Sequence, residues 1–551
     1  MDRKTAARTL REIGRLLEVT DDNPYRARAF AGAARTVETL SGDIAELIRS
    51  GEIRNLRGIG RGSSAVLEQL ASGNRPQALL EAEAKVPPGV RDMLTLPGLG
   101  PKKVRTLWNE LGVETLGELE YACRENRLLE LKGFGPASQA SVLDALSFRA
   151  QTRDRRLVHE AWTAAAALIE RLRDRPGVGQ VLPAGELRRG CETVGELALV
   201  VELADPAQAE TVARSFGSAE TVGAGEWALH ADGSLPVRLC FAGRRELGAV
   251  WLQATGDDEF LAGLEARAAG SGSVFSVVGS DEAEVLTALG LPWIPPELRR
   301  GRRWIEAAAC GVLPRLVELG DLRGALHNHT TDSDGLATLE EMAGAAAGLG
   351  WSFFGVADHS PAAFYANGLD AERLRAQWSR ADAWNDDHHD LRIVKGLEAD
   401  ILADGRLDIP EGCEAGLEVV VASVHSSFKM PAEVQTERLV TAVRNPACRI
   451  LGHPTGRLLL ARPAYEVDLE RVLDACAEAG VAVEINASPY RLDLDATWAR
   501  CALDRGLRLV VNPDAHSVDG LDDVRWGVTV ARRAGATAID VINCGDLETF
   551  L

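Results

Sequence analysis

Three rhythms of apolar and polar positions succeed one another along the chain. Up to residue 151 the apolar positions recur at helical spacing, as in NPYRARAFAGAARTVETL, and short glycine turns punctuate them, which predicts a series of helices. Between 152 and 304 a helical stretch, VHEAWTAAAALIERL, gives way to the compact runs LALVVEL and PVRLCF, with the length and branching of strands. From 305 onward apolar, β-branched runs recur, and each ends in an imidazole or a carboxylate. The expected organisation is multidomain, α+β and α/β. Helical segments lie at 1–84 and 85–151, a mixed segment at 152–304 and a barrel at 305–551. Pro295-Pro296 and the basic run LRRGRRW mark the last boundary; Arg299, Arg300, Arg302 and Arg303 form either a phosphate-contacting patch or a solvated segment.

The third rhythm carries the chemistry. GALHNHTTDSDG presents His327, His329 and Asp334; FFGVADHS leads to His359, IVKGLEAD to Glu398, VVVASVH to His425, ILGHP to His453, and LVVNPDAH to Asp514 and His516. In a (β/α) barrel the C-terminal strand ends converge on one face, so side chains far apart in sequence meet there. One histidine at a strand end is ordinarily a packing or surface residue, but six at successive ends point to a cluster. Imidazole and carboxylate without thiolate suit zinc, manganese or iron, and nine such groups exceed the ligands that a single zinc takes. Two or three divalent ions are expected. Adjacent ions activate a water and offset charge on a phosphoryl oxygen together, the apparatus of phosphoester hydrolysis. His327, His329, Asp334, Glu398, His425 and Asp514 are the expected catalytic subset. Arg457 in GHPTGRLLL and Arg491 in NASPYRLDL also follow strand ends; their guanidinium forks suit a substrate phosphate, with salt bridging as the alternative.

The first rhythm contains an internal repeat. LRGIGRGSSAVLEQL, LPGLGPKKVRTLWNELG and LKGFGPASQASVLDAL share a Gly-hydrophobic-Gly turn ahead of an amphipathic helix, the helix-hairpin-helix pattern. Gly58 and Gly60, Gly98 and Gly100, and Gly133 and Gly135 allow backbone amides to approach a phosphate at a helix N-terminus, or else serve only to pack helices together. Lys102 and Lys103 make the second hairpin the best candidate for DNA contact.

Composition narrows the partners. The net charge of −20 is unfavourable for a general nucleic-acid binder, whose affinity comes largely from neutralising phosphates, so any DNA contact is local. Nine cysteines without a CxxC form no disulfide framework, as in a reducing compartment. MDRKTAARTLREIGRLLEV reads as an amphipathic helix rather than a signal peptide, and no apolar run is of membrane-spanning length. A cytoplasmic monomer with no membrane partner is expected.

HNHTTDSDG, VADHS, GLEAD, ASVHSSF, GHPTGRLLL and NPDAH resemble the motifs of the polymerase-and-histidinol-phosphatase (PHP) domain, in the form fused to bacterial family X DNA polymerases. The resemblance covers essentially the whole chain. It implies a distorted seven-stranded (β/α) barrel with a trinuclear manganese or zinc centre on those nine positions. It implies a metal-dependent 3′–5′ exonuclease with related abasic-site and 3′-end-cleaning activities, and so DNA ends, gaps or abasic sites as partners. By the same likeness 1–84 corresponds to a small lyase and end-binding domain, 85–151 to fingers, and 152–304 to palm and thumb.

LPAGELRRGCETVGELALVV is similar to the family's Gly-Ser, RRG and Asp-x-Asp segment. Arg188, Arg189 and Gly190 match. Glu186 stands for the phosphate-binding serine, Glu196 and Ala198 for the aspartate pair, and Arg238 for the third aspartate, while the TGS turn reads Thr255-Gly256-Asp257. Nucleotidyl transfer needs carboxylates holding two magnesium ions, so a degenerate palm is expected. Val66 stands where the family's lyase lysine lies, which removes the amine that Schiff-base chemistry requires. The competing readings are a gap-filling polymerase with an editing barrel, a small-molecule phosphatase of the histidinol-phosphate kind, and a non-enzymatic DNA-end-binding scaffold.

Overall fold

The computed structural model describes residues 3–550 apart from 21–22, 39, 41–43, 153, 224, 231–234 and 269–272. Two compact units divide the chain, Met1–Arg153 and Asp154–Leu551.

The first unit is helical. Helix Arg3–Val19 buries Ala6, Leu10, Ile13 and Leu17, which its pitch brings to one face. A single apolar core runs from Ala6 to Leu146, across the position at 84 where the sequence suggests a boundary. Each hairpin has the same construction. Gly58, Gly98 and Gly133 have φ of +95°, +83° and +91°, a region that a side chain disfavours. Two residues later Gly60 and Gly100 cap the helices Arg61–Ala71 and Pro101–Leu111, and Gly135 accepts the first backbone bond of Pro136–Thr152. Lys103 Nζ donates to Ser138 Oγ at 2.9 Å and lies 5.3 Å from the Phe134 ring, tying the second hairpin to the third. Val66 is buried in the core of its helix.

The second unit opens with a short antiparallel pair, β1 (Arg156–Leu157) and β3 (Thr193–Val194). Around it β2 (Val178–Pro183), β4 (Leu197–Leu203), β5 (Ser218–Gly223), β6 (Glu226–His230) and β7 (Val237–Ala242) form a sheet of order β2-β4-β7-β6-β5. Only β4 and β7 are parallel. Alternate residues of β4 face opposite ways. Leu199 and Val201 join the core that includes Ala161 and Ala165 of helix Val158–Arg173, while Ala198 and Val200 pack with Leu247 and Ala254 of helix Leu247–Thr255.

The barrel strands are β8 (Gly324–Ala325), β9 (Phe353–Val356), β10 (Arg392–Asp400), β11 (Val419–Ser423), β12 (Ile450–Leu451), β13 (Ala482–Asn486) and β14 (Leu509–Asn512). They are all parallel and neighbour one another in chain order. Burial on both faces explains why they read as unbroken apolar runs. The ring is nearly closed at its C-terminal end: Asn328 bridges Ala515, His329 N donates to Ala515 O at 2.8 Å, and Asp514 N donates to His327 O at 3.1 Å.

Within the basic run before the barrel Arg299 departs from both sequence readings, while Arg302 and Arg303 are exposed. Arg299 is fully buried and grips Glu282, whose carboxylate Arg188 also holds, at 2.7 Å through Nη2. A buried carboxylate requires matched charge, so Arg299 is structural rather than a phosphate contact. Arg303 turns to Asp504 of the barrel at 3.2 Å.

Candidate metal centre

All nine strand-end residues meet at the C-terminal mouth of the barrel. Glu398, at 1% exposure, lies at the centre. Its Oε1 is 3.0 Å from His453 Nε2 and 3.2 Å from both His327 Nε2 and His425 Nε2, and its Oε2 is 2.8 Å from His359 Nδ1. Asp514 Oδ1 lies 3.0 Å from His329 Nε2 and 3.6 Å from His327 Nε2. At the rim Asp334 Oδ1 is 3.3 Å from His516 Nε2 and 3.6 Å from His359 Nε2. Donor atoms fall within 4.8 Å of one another in three overlapping sets: His329 with Asp334, His359 and His516; His327 with His329 and Asp514; His359 with Glu398 and His425. Two of these positions have left-handed backbone, His453 at φ +24° and Asp514 at φ +54°, which packing must hold in place.

The contacts fit a divalent-metal cluster better than a hydrogen-bond network. His327 Nε2, His329 Nε2 and His359 Nδ1 are buried and close to carboxylate oxygens, yet none is aligned for a hydrogen bond. Lone pairs of nitrogen and oxygen pointing at common points call for a cation between them. Charges within the cluster shift its titratable groups in opposite directions. Burial alone pushes the Glu398 and Asp514 carboxyls up, but the surrounding imidazoles outweigh it and hold both well below the carboxylate range. Burial lowers His425, yet Glu398 and Asp400 drive it up to about 10; burial and the imidazoles of His516 and His359 take His329 down to about 3.

Four residues supporting the cluster carried a sequence signal that strand-end reasoning passes over: an acid or amide inside or beside an apolar run. Glu484, in VAVEIN, is fully buried; its Oε1 is 2.8 Å from His327 Nδ1 and accepts from Asn512 Nδ2 at 2.9 Å, and its Oε2 accepts from His453 N at 2.7 Å. Asp400, in GLEAD, lies 2.6 Å from His425 Nδ1. Such partners fix which ring nitrogen faces a metal. Asp358, in VADH, accepts from Thr330, Ser333 and Gln377 and braces the HNHTTDSDG loop, and Asn486 Nδ2 donates to Asp514 Oδ2 at 3.0 Å.

The two candidate phosphate-binding arginines separate. Arg457 donates to the carbonyls of Arg491 and Leu492 and lies 3.6 Å from Asp495, so its fork is engaged in holding the Arg491 loop. Arg491 reaches the cluster itself, with Nε 3.6 Å from Asp514 Oδ2.

A cleft beside the five-stranded sheet, a cavity of about 420 Å³, brings together Glu186, Glu196, Ala198 and Arg238. Register places Ala198 beside Arg238, whose Nε donates to Glu196 at 2.6 Å. Glu186 pairs with Arg155 at 2.7 Å and accepts from Gly195 N at 2.8 Å. Glu186 and Glu196 are thus held by arginine and backbone.

Comparison with known proteins bears on both units. Residues 1–75 match a family described as a helix-hairpin-helix domain, and 90–147 one described as a SAM-like helix-hairpin-helix tandem. The chain is 33% identical over 575 residues to the DNA polymerase/3′-5′ exonuclease PolX of Bacillus subtilis (strain 168), covering 100% of this chain and 99% of that protein. The chain belongs to the PolX family. Among the shorter matches are two probable phosphatases. One, of Caldanaerobacter subterraneus subsp. tengcongensis, is 36% identical over 23% of this chain and 51% of its own. The other, of Thermoanaerobacter sp. (strain X514), is 31% identical over 29% of this chain and 68% of its own. In this PolX chain the seven-stranded barrel is the PHP barrel, its mouth fits divalent-metal binding, and the helix-hairpin-helix segments make it a DNA-binding protein. Among the described residues no helix is long and apolar enough to cross a membrane.

Proposed function

We propose that this PolX chain is a metal-dependent phosphodiesterase that removes nucleotides from DNA 3′ ends, at termini, gaps or abasic sites, as a cytoplasmic monomer. The observation that carries the reading is the convergence at the barrel mouth of buried imidazoles and carboxylates in which His327 Nε2, His329 Nε2, His359 Nδ1 and Glu398 Oε2 lie close to opposite-charge partners without an aligned hydrogen bond. Two or three ions of manganese or zinc, or of iron, suit nine such donors: His327, His329, Asp334, His359, Glu398, His425, His453, Asp514 and His516. Bound there, divalent ions supply activation of a water and neutralisation of phosphoryl charge. The chain's own groups supply geometry. Asp400 and Glu484 fix the rings of His425 and His327, Arg457 holds the loop that carries Arg491, and Arg491 orients the phosphate from the rim. Hydrolysis then breaks the bond between phosphorus and the 3′ oxygen of the penultimate nucleotide, and that oxygen takes a proton from solvent at the open mouth.

The palm serves as a scaffold in this reading. Arg238 puts a guanidinium where two magnesium ions would have to lie, and Glu196 alone is too few carboxylates for them. The hairpin amides of Gly58, Gly60, Gly98, Gly100, Gly133 and Gly135, with Lys102 and Lys103, bring the DNA backbone to the protein.

The test is incubation of the purified protein with 5′-labelled, 3′-unblocked DNA and Mn²⁺. Stepwise shortening is expected, with loss of at least a hundredfold in His327→Ala and none of the primer extension that added nucleotides would support. Absence of shortening from the wild type, or full activity in His327→Ala, overturns the reading.

A further inference from the structure

The mouth of the barrel carries aromatic rings that neither core packing nor the metal ligands account for. Among the described residues the exposed large aromatics are Tyr25, Tyr121, Trp293, Phe364, Tyr365 and Tyr490. The last three belong to the barrel, at 86%, 62% and 56% exposure, and all three stand on loops leaving C-terminal strand ends. Phe364 and Tyr365 follow His359 beyond β9, with their rings in edge contact at 6.0 Å. The Tyr365 ring is 6.5 Å from that of His359 and sits within the field of Glu398, Asp400, Asp334 and Arg491. Tyr490 follows β13 and directly precedes Arg491, whose Nε is 3.6 Å from Asp514; its ring makes a T-shaped contact with that of His159, centroids 5.4 Å apart. In the ring of strands β10, β11 and β12 separate β9 from β13 on one side and β8 and β14 on the other, so the two aromatic groups flank the mouth from different sides.

An exposed phenyl ring beside a carboxylate-rich site is a poor place for a phosphate backbone and a good one for a nucleobase. Bases stack on aromatic faces whatever their sequence, and each such contact is energetically substantial. We propose that Phe364 and Tyr365 on one side and Tyr490 on the other form a stacking platform for the unpaired terminal bases of a DNA 3′ end. Arg491 lies between them to take the phosphate. Rings on separate rims accept bases that are splayed apart, which a paired duplex end does not offer, so the platform selects frayed or single-stranded ends. This inference rests on the 3′-end hydrolysis proposed above for the same mouth.

The experiment separates the two. A single-stranded oligonucleotide ending in 2-aminopurine is bound to the full-length protein with Ca²⁺ in place of the reactive metals, and its fluorescence is followed. Quenching is expected in the wild type, is lost in Phe364→Ala/Tyr365→Ala and in Tyr490→Ala, and returns in Phe364→Trp and Tyr490→Trp. In turnover with Mn²⁺ the alanine variants raise KM for base-bearing 3′ ends roughly tenfold at nearly unchanged kcat, and leave KM for an end with abasic terminal nucleotides unaltered. No quenching in the wild type, equal quenching in the alanine variants, or equal losses on the abasic end overturns the platform. Quenching that follows this pattern in a protein that hydrolyses nothing upholds the platform and overturns the hydrolase.

Discussion

At the scale of a residue, Glu484 shows how a side chain that touches no substrate sets the properties of those that do. Both of its oxygens are committed: one to His327 Nδ1 and Asn512, the other to the backbone N–H of His453. With a proton on Nδ1, the lone pair of His327 Nε2 is turned toward Glu398 and Asp514, where a cation would sit. Glutamine has nearly the same shape, but whichever way its amide is turned a donor meets a donor. Glu484→Gln is therefore expected to lower metal affinity about 10- to 100-fold, as loss of a ligand's hydrogen-bond partner typically does. The buried mismatch costs about 1–3 kcal/mol, so the variant still folds. Titration of metal-stripped protein with Mn²⁺, beside a thermal melt, checks this; unchanged affinity would mean that Glu484 merely fills space. The nine strand-end groups are legible in sequence because each terminates an apolar run. Glu484 is not, because an acid within a strand gives no sign of which imidazole, 157 residues away, it will meet.

Among the elements, the hairpins put the electrostatics of DNA binding to a quantitative test. A chain of net charge −20 binds a polyanion only through local groups, and in the second hairpin these are a glycine turn, a helix N-terminus and two lysines with different surroundings. Lys102 is exposed, whereas Lys103 is drawn to Ser138 and Phe134 of the third hairpin. Lys102→Ala is expected to weaken binding to all sequences alike and to flatten the dependence of log K on log salt by about 0.9, one phosphate contact. Lys103→Ala is expected to lower the melting temperature as well, because it severs the tie between hairpins. Anisotropy titrations of duplex DNA across a salt series read the slope; an unchanged slope in Lys102→Ala would place the contact elsewhere. Elements of this kind are easily read from sequence because Gly-hydrophobic-Gly turns and strand-end histidines are local patterns. The basic run before the barrel is not. Four arginines in five residues suggest a charged surface, and only the fold brings Glu282 and Arg188 together to bury Arg299.

Across the whole second unit, the segment carrying the five-stranded sheet and the barrel are joined by a seam of paired charges that couples their stability to pH. Arg532 reaches Glu297 at 2.7 Å and Arg533 reaches Glu192 at 2.7 Å, beside Gly190, where a Cβ would come within 2.1 Å of Thr529 Cγ2. Burial pushes the Glu192 carboxyl up, but Arg533 and Arg457 outweigh it and take it down to about 2 from an ordinary value of 4.5. A carboxyl depressed on folding adds stability above its unfolded value and loses it as pH falls through its folded one, so the seam weakens between about 4.5 and about 2. Glu192→Gln removes this dependence and leaves the Arg533 side chain, 9% exposed, without its partner, at a cost of about 3 kcal/mol at pH 7. Glu192→Gln/Arg533→Met, a neutral pair of similar volume, recovers most of that loss. Denaturant unfolding at pH 7 and pH 3 measures all three proteins. The wild type is expected to lose more stability than either variant on acidification, and equal losses would show that the seam is held by packing, with the ion pair contributing nothing.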